Sequence, residues 1–249
     1  MKKWILILLM VLGTSAFAGK INIALAANVS YAIDDLIKEF NKTNPDTEVT
    51  ITLGSTGKLT AQIQNGAPYN ILMGANMKFP QTLYDDKVAI TVPVVYAQGS
   101  LAMLSIKKLD FTKGIAVVTE KNVDKIAVAN PKTAPYGTAA IEALKNAKVY
   151  EQIESKLVYA ESISQTVTYA TTATDIGFIA KSSLYDAKLS QYKENINWVE
   201  VDPSLYTPID QGIVIINNSV GNEEVKAFYD FILSERAKKI FLEYGYLVK

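Results

Sequence analysis

The chain contains no cysteine and no histidine. Thiolate nucleophiles, disulfide frameworks, histidine-assisted serine catalysis and the usual zinc sites are thereby excluded together. Any catalysis would fall to Asp, Glu, Lys, Ser or Tyr. An excess of positive charge is lacking as well, with 25 Lys and Arg against 25 Asp and Glu. Nucleic-acid binding rests on clustered cations that neutralise phosphates, so no nucleic-acid partner is expected. A long hydrophobic run is the third absence. Residues 4–12 are apolar throughout, but a membrane-spanning helix takes about 20 such residues.

That short run has the form of a secretory leader. Met1-Lys2-Lys3 provides the basic start, and Ala16 and Ala18 the small residues before a cleavage point. Cleavage is expected after Ala18, giving a periplasmic protein that begins at Gly19. No Cys follows the apolar run to carry a lipid, so a soluble product is expected. Loss of Lys2 and Lys3 lowers the cations from 25 to 23 against 25 acidic residues, a slightly acidic balance. At 49% hydrophobic and 20% charged, the composition is that of an ordinary globular protein. Its length suits one large domain or two small lobes sharing a chain.

Residues 21–27 form a short apolar run suited to a buried strand. Val29, Ala32, Ile33, Leu36, Ile37 and Phe40 then recur at helical spacing. Asn44-Pro45 ends that helix, residues 49–53 read as the next strand, and Gly54-Ser55-Thr56-Gly57 turns into a second helix with Leu59 and Ile63 on its apolar face and Gly66 as its stop. Residues 71–73 suggest a third buried strand. Strand, helix, strand, helix, strand is the rhythm of a parallel sheet covered on both faces.

Residues 92–104 are apolar enough to cross from one lobe to another. The alternation then restarts, with strands at 126–129, 157–159 and 176–179 and helices at 137–147 and 164–172. Residues 211–216 suit a return crossing, and Val225, Phe228, Phe231, Ile232, Ile240 and Phe241 predict one or two closing helices. The second half thus repeats the order of the first without a visible sequence repeat.

Four turns share one design, in which a strand ends, small or hydroxyl residues follow and a helix starts. They are Ala26-Ala27-Asn28-Val29-Ser30, Gly54-Ser55-Thr56-Gly57, residues 131–137 around Thr133 and Tyr136, and Ala160-Glu161-Ser162-Ile163-Ser164. A helix opening has unpaired N–H groups and a partial positive charge, so it holds an anion without a cationic side chain. Taken singly, Asn28, Thr56 and Ser164 are explained as helix caps. Four such turns at the carboxyl ends of strands are more than capping requires, because open α/β sheets place ligands there.

Rival motifs fail on their residues. Gly57-Lys58 resembles the end of a phosphate-binding loop, but Thr52 stands where its first Gly belongs and Leu59 where Ser or Thr should follow. Gly54-Ser55-Thr56-Gly57 is one residue short of a hydrolase elbow, and no His can act as base. Asp34-Asp35 fits the solvated face of a helix better than acid–base chemistry.

At the four loops the sequence resembles the periplasmic molybdate-binding proteins, the ModA family of ABC transporter receptors. The likeness rests on Ala26-Ala27-Asn28-Val29, on residues 54–68 from Gly54-Ser55-Thr56-Gly57-Lys58 to Gly66-Ala67-Pro68, and on Ala227-Phe228-Tyr229-Asp230-Phe231 with Tyr244-Gly245-Tyr246. It implies an α/β, periplasmic-binding-protein-like fold, two α/β lobes joined by two crossing strands with a ligand cleft between them. Residues 19–98 with 212–249 are expected to form the first lobe and 99–211 the second.

The resemblance also implies site residues. The first-loop ligand position falls on Asn28, the second-loop hydroxyl on Thr56 with Ser55 as its neighbouring candidate, and the second-lobe positions on Tyr136 and on Ile163 through its backbone N–H. Some features depart from the family pattern. A Tyr common in the family near residue 180 is Ala180 here, and Tyr136 is expected to supply the missing hydroxyl; Tyr69-Asn70 and Gly74-Ala75 also differ. The implied ligand is molybdate or tungstate, held without cofactor, metal cation or catalysis, and passed to a membrane permease by a monomer. The same loops also suit a binding protein for another small anion or polar solute, a sensory binding module, or a secreted hydrolase using Lys, Asp or Ser.

Overall fold

The computed structural model describes residues 19–248, and the expected leader at 1–18 lies outside them. Ten strands run in chain order as β1 (Lys20–Ala26), β2 (Glu48–Gly54), β3 (Ile71–Met73), β4 (Val94–Gly99), β5 (Leu101–Leu104), β6 (Ile126–Ala129), β7 (Leu157–Ala160), β8 (Ile176–Ala180), β9 (Trp198–Glu200) and β10 (Ile209–Ile215). They make two five-stranded sheets, ordered β2-β1-β3-β10-β4 and β7-β6-β8-β5-β9. The helices are α1 (Ile33–Asn41), α2 (Thr56–Gln64), α3 (Lys78–Asp85), α4 (Pro135–Asn146), α5 (Tyr150–Ile153), α6 (Ile163–Thr172), α7 (Glu223–Ile232) and α8 (Glu235–Glu243).

The sheets repeat one plan. β1 pairs in parallel with β2 and β3, and β6 pairs in parallel with β7 and β8. The parallel rhythm stops at the strand entering from the other lobe: β10 is antiparallel to β3 and β4, and β5 is antiparallel to β8 and β9. The sheets are therefore mixed. The outward crossing is abrupt, since β4 ends at Gly99 and β5 starts at Leu101 in the other sheet, with only Ser100 between them.

Strand periodicity divides the first core. Ile21, Ile23 and Leu25 of β1 pack with Leu36, Phe40, Phe228 and Phe241 beneath α1, α7 and α8, while Ala24 faces Leu59, Ile63 and Leu83 of α2 and α3. Phe40 meets the Phe228 ring edge-on at a centroid distance of 5.1 Å. Each such fully buried side chain contributes about 1.5–3 kcal/mol relative to exposure. The second lobe is built likewise, and its main core reaches across to Ala26, Ala27 and Ala75 of the first. The lobes therefore touch through small residues at strand ends, which lets their backbones approach closely.

Some elements differ from expectation. The first helix opens as a separate 3-10 turn, Ala27–Tyr31, before α1 begins at Ile33. α3 buries only Pro80 and Leu83 and β9 has three half-buried residues, too little apolar pattern to register. Asp34 and Asp35 are exposed on α1, where Asp35 Oδ2 accepts from Tyr244 Oη at 2.7 Å.

Candidate functional site

A small cavity lies where the loops at the carboxyl ends of the strands converge. Its free interior is only about 10 Å³, far below the roughly 300–1,000 Å³ of sites for drug-sized molecules, so nothing larger than a small ion suits it. Ala26, Ala27 and Asn28 line it after β1, Gly54, Ser55 and Thr56 after β2, and Ala75 after β3. The second lobe contributes Ala134, Pro135 and Tyr136 after β6 and Ile163 after β7. Asn28, Thr56, Tyr136 and Ile163 are thus brought to one enclosure. None of the lining residues is charged.

Three α-helices open onto it. Neither Ser55 before α2 nor Ala134 before α4 makes a side-chain cap; before α6, Ser162 Oγ accepts from Gln165 N at 3.4 Å. The capping explanation for Asn28, Thr56 and Ser164 does not hold, because the α6 cap is Ser162 and the other two are engaged elsewhere. At α4, Pro135 has no N–H and Gly137 N donates to Ala134 O at 2.9 Å. Tyr136 N–H is therefore the first donor that this opening offers.

The hydroxyls play different parts. Thr56 Oγ1 accepts from Ala75 N at 3.0 Å and so ties its loop to the end of β3. Ser55 Oγ is buried in the cavity wall and has no protein partner. An orphaned hydroxyl of this kind costs about 1–3 kcal/mol unless a ligand completes it. Tyr136 Oη lies at the crossing strands, where it accepts from Gln211 Nε2 at 3.4 Å. A Cβ on Gly99 would stand 1.9 Å from that oxygen, so glycine at the crossing makes room for the phenol.

Behind the cavity is a buried polar network that the sequence reading missed. Asn28 Nδ2 donates to Gln211 Oε1 at 2.9 Å and to Tyr246 Oη at 3.0 Å, while Tyr96 Oη donates to Gln211 Oε1 at 2.8 Å. Asn28 O accepts from Tyr246 Oη at 2.8 Å and, from the second lobe, from Ser182 Oγ at 3.0 Å. Desolvation pushes the Tyr96 and Tyr136 phenols well above their ordinary range and Tyr246 up to about 12. All three therefore keep their protons at neutral pH. The available signals were a lone Gln in the apolar return strand and Tyr246 in the terminal motif.

Three further contacts join the lobes. Gly57 N donates to Thr133 O at 2.8 Å, Lys58 Nζ meets Glu161 Oε1 at 2.7 Å, and Tyr185 packs beside Tyr244. The Lys58–Glu161 pair is about half exposed on each side, and neither residue lines the cavity.

Fold and cavity together define a two-lobed solute-binding protein. Residues 21–247 match the family described as bacterial extracellular solute-binding protein, and the chain belongs to that family. Its similarity is to the ModA proteins within that class. The molybdate-binding protein ModA of Azotobacter vinelandii is 34% identical over 241 residues, 94% of this chain and 92% of its own. That of Rhodobacter capsulatus is 33% identical over 248 residues, 98% and 94% of the two chains. The solved Azotobacter vinelandii periplasmic molybdate-binding protein superposes with a TM-score of 0.84 at 28% identity, covering 92% of this chain and 99% of that one. The family consists of substrate-binding transport proteins, not enzymes. Among the described residues no helix is long and apolar enough to cross a membrane.

Proposed function

We propose that this protein captures molybdate in the periplasm and delivers it to the permease of an ABC transporter. The observation that carries the reading is a small cavity lined only by uncharged residues, onto which three helices open. Molybdate carries no proton near neutral pH and accepts hydrogen bonds only. Backbone N–H groups and hydroxyls suit it, and a carboxylate in the lining would repel it.

In this reading Ser55 Oγ, the Asn28 amide, and the backbone N–H groups of Thr56, Tyr136 and Ile163 surround the ion. Residues 19–98 with 212–249 move as one lobe and 99–211 as the other, closing by hinge motion at the crossing strands. Leader cleavage after Ala18 releases a monomer that has no nucleic-acid partner. Tungstate, nearly the same size, binds as well, whereas smaller sulfate is held loosely.

A thermal-shift panel of molybdate, tungstate, sulfate, phosphate, chromate and small carboxylates tests the assignment, together with elemental analysis of the protein as purified. Stabilisation by molybdate and tungstate above all others is the expected result. Preference for a carboxylate, or no response to any oxyanion, would falsify it. For the site, Ser55→Ala should weaken binding about 10-fold or more, the scale of one hydrogen bond to a charged group.

A further inference from the structure

The polar network behind the cavity contains one flaw. Asn28 is fully buried, and its Nδ2 is committed inward to Gln211 Oε1 at 2.9 Å and Tyr246 Oη at 3.0 Å. The other end of the planar amide, Oδ1, is buried without a partner, and Asn28 lines the cavity. An acceptor at that place suits an anion that brings its own proton and opposes one that brings none.

Turning both amides by half a turn removes the conflict, because the oxygen and nitrogen of an amide exchange places with almost no change of shape. Asn28 Oδ1 would then accept from Gln211 Nε2 across the same 2.9 Å and from Tyr246 Oη across 3.0 Å. The second Gln211 Nε2 proton would meet Tyr96 Oη across 2.8 Å, leaving the Tyr96 proton for Gly74 O at 3.3 Å. Gln211 Oε1 would accept from Tyr136 Oη across 3.4 Å, and Asn28 O would keep Ser182 Oγ at 3.0 Å. Every amide atom facing inward is then paired, and Asn28 Nδ2 becomes a cavity donor.

We infer that Gln211 is a positioning residue for specificity: by donating to Asn28 Oδ1 in the liganded state, it fixes the Asn28 amide with its NH2 toward an unprotonated oxyanion. Gln211 is suited to the task because it is fully buried on β10 at a register shift between Gln211 and Gly212. Such a bulge re-aims a side chain. From that position Gln211 touches Asn28 of the first lobe and Tyr136 of the second, so the same amide senses both halves of the site. Tyr136 then acts through Gln211 with its hydroxyl and on the ion with its backbone N–H.

The inference rests on the molybdate reading, and its test separates the two. In proton–nitrogen spectra of the purified protein, the Asn28 NH2 signals, assigned by their loss in Asn28→Asp, should shift strongly when molybdate is added. The liganded form should show no close approach between those protons and the Tyr246 ring. By calorimetry, Gln211→Glu should bind molybdate about 10- to 100-fold more weakly, the range for a lost hydrogen bond to a charged group. A carboxylate at 211 accepts only and pins the wrong face of Asn28. Gln211→Met, which neither donates nor accepts, should lose less than Gln211→Glu. A negative charge at 211 would also repel the dianion, so the deciding comparison is the Asn28 NH2 shift in Gln211→Met, which a positioning role diminishes and a merely structural role leaves intact.

Asn28 signals that ignore molybdate, or a shift in Gln211→Met as large as in the unsubstituted protein, overturn the role of Gln211. If Gln211→Glu fails to fold, the spectra of the unsubstituted protein and of Gln211→Met decide alone. An unsubstituted protein that binds molybdate no better than phosphate overturns the function beneath it.

Discussion

Gly57→Ala isolates closure from ligand contact. Gly57 is the second residue of α2, and a Cβ there would stand 3.0 Å from Thr133 Cα and 3.1 Å from Thr133 O, backbone atoms of the opposite lobe. It would also stand 2.9 Å from Phe79 Cζ, the tip of a ring that can swing aside. Carbon atoms pack comfortably at about 3.5–4.0 Å, so the lobes must part by roughly half an ångström or more to admit the methyl group. That displacement stretches the 2.8 Å bond from Gly57 N to Thr133 O.

Overpacking of this kind costs about 1–3 kcal/mol, and a weakened hydrogen bond adds about 0.5–1.5 kcal/mol. At 1.4 kcal/mol per decade, the dissociation constant should rise about 10- to 1,000-fold. With the lobes apart the methyl group meets no backbone across the cleft, and alanine inside a helix is favoured over glycine by roughly 0.5–1 kcal/mol. Binding should therefore fall while the melting temperature without oxyanion holds or rises slightly. Calorimetric titration with molybdate and differential scanning calorimetry of the unliganded protein measure the two effects. A dissociation constant within about threefold of the parent refutes the closure argument, as does a matching loss of unliganded stability.

Other expectations follow from the same geometry. Gly99→Ala places a carbon 1.9 Å from Tyr136 Oη and 2.8 Å from Gln211 Nε2, so it should weaken oxyanion binding and lower thermal stability together, by titration and melting. Tyr136→Phe removes only the hydroxyl and should cost about two- to tenfold in affinity, the scale of one neutral hydrogen bond. Lys58→Ala breaks an exposed pair worth about 0–1 kcal/mol, so its effect on affinity should be small and vanish at high salt. The pH profile should be set by the buried phenols. Their raised values mean that the stability they contribute is whole below pH about 10, where unfolded tyrosines ionise. It is lost as pH climbs toward the folded value, about 12 for Tyr246. Denaturant midpoints at stepped alkaline pH test this, and a decline starting well below that range would contradict it.

Much of this protein was legible because its signals are local. β3 and β6 follow the apolar runs at 71–73 and 126–129, and the four turn motifs fall at strand ends, where backbone chemistry is dictated by neighbours in sequence. The resemblance at residues 54–68 then indicated which loops meet. The hydroxyl assignment was harder: Thr56 and Ser55 are adjacent and alike, and only Ala75 N, 19 residues on, distinguishes the engaged oxygen from the orphaned one. Gln211 was hidden for the same reason. Its partners lie 183, 115 and 75 residues away, and no periodicity encodes such a meeting.

The distribution of unpaired polar atoms suggests why closure should depend on the ion. Among the described residues, four buried side-chain oxygens lack partners, and three of them, Asn28 Oδ1, Ser55 Oγ and Thr133 Oγ1, lie on the loops that come together between the lobes. Closing without an anion would bury Ser55 and Asn28 unsatisfied at about 1–3 kcal/mol each. An ion that accepts from Ser55 Oγ and, once the Asn28 amide has turned its NH2 toward the cavity, from Asn28 Nδ2 removes a penalty of about 2–6 kcal/mol, against roughly 5.5 kcal/mol needed to turn a 1:99 equilibrium into 99:1. Cationic side chains in their place would attract any anion and repel each other as the lobes approached. Neutral donors at helix openings instead reward only an ion that fills them all at once, so recognition and closure become one event. It follows that a variant that removes an orphaned group, such as Ser55→Ala, should close more readily when unliganded while binding the ion less tightly. Small-angle scattering of the unliganded Ser55→Ala protein should show a more compact particle than the parent, and equal dimensions would argue that the orphaned hydroxyl does not hold the lobes apart.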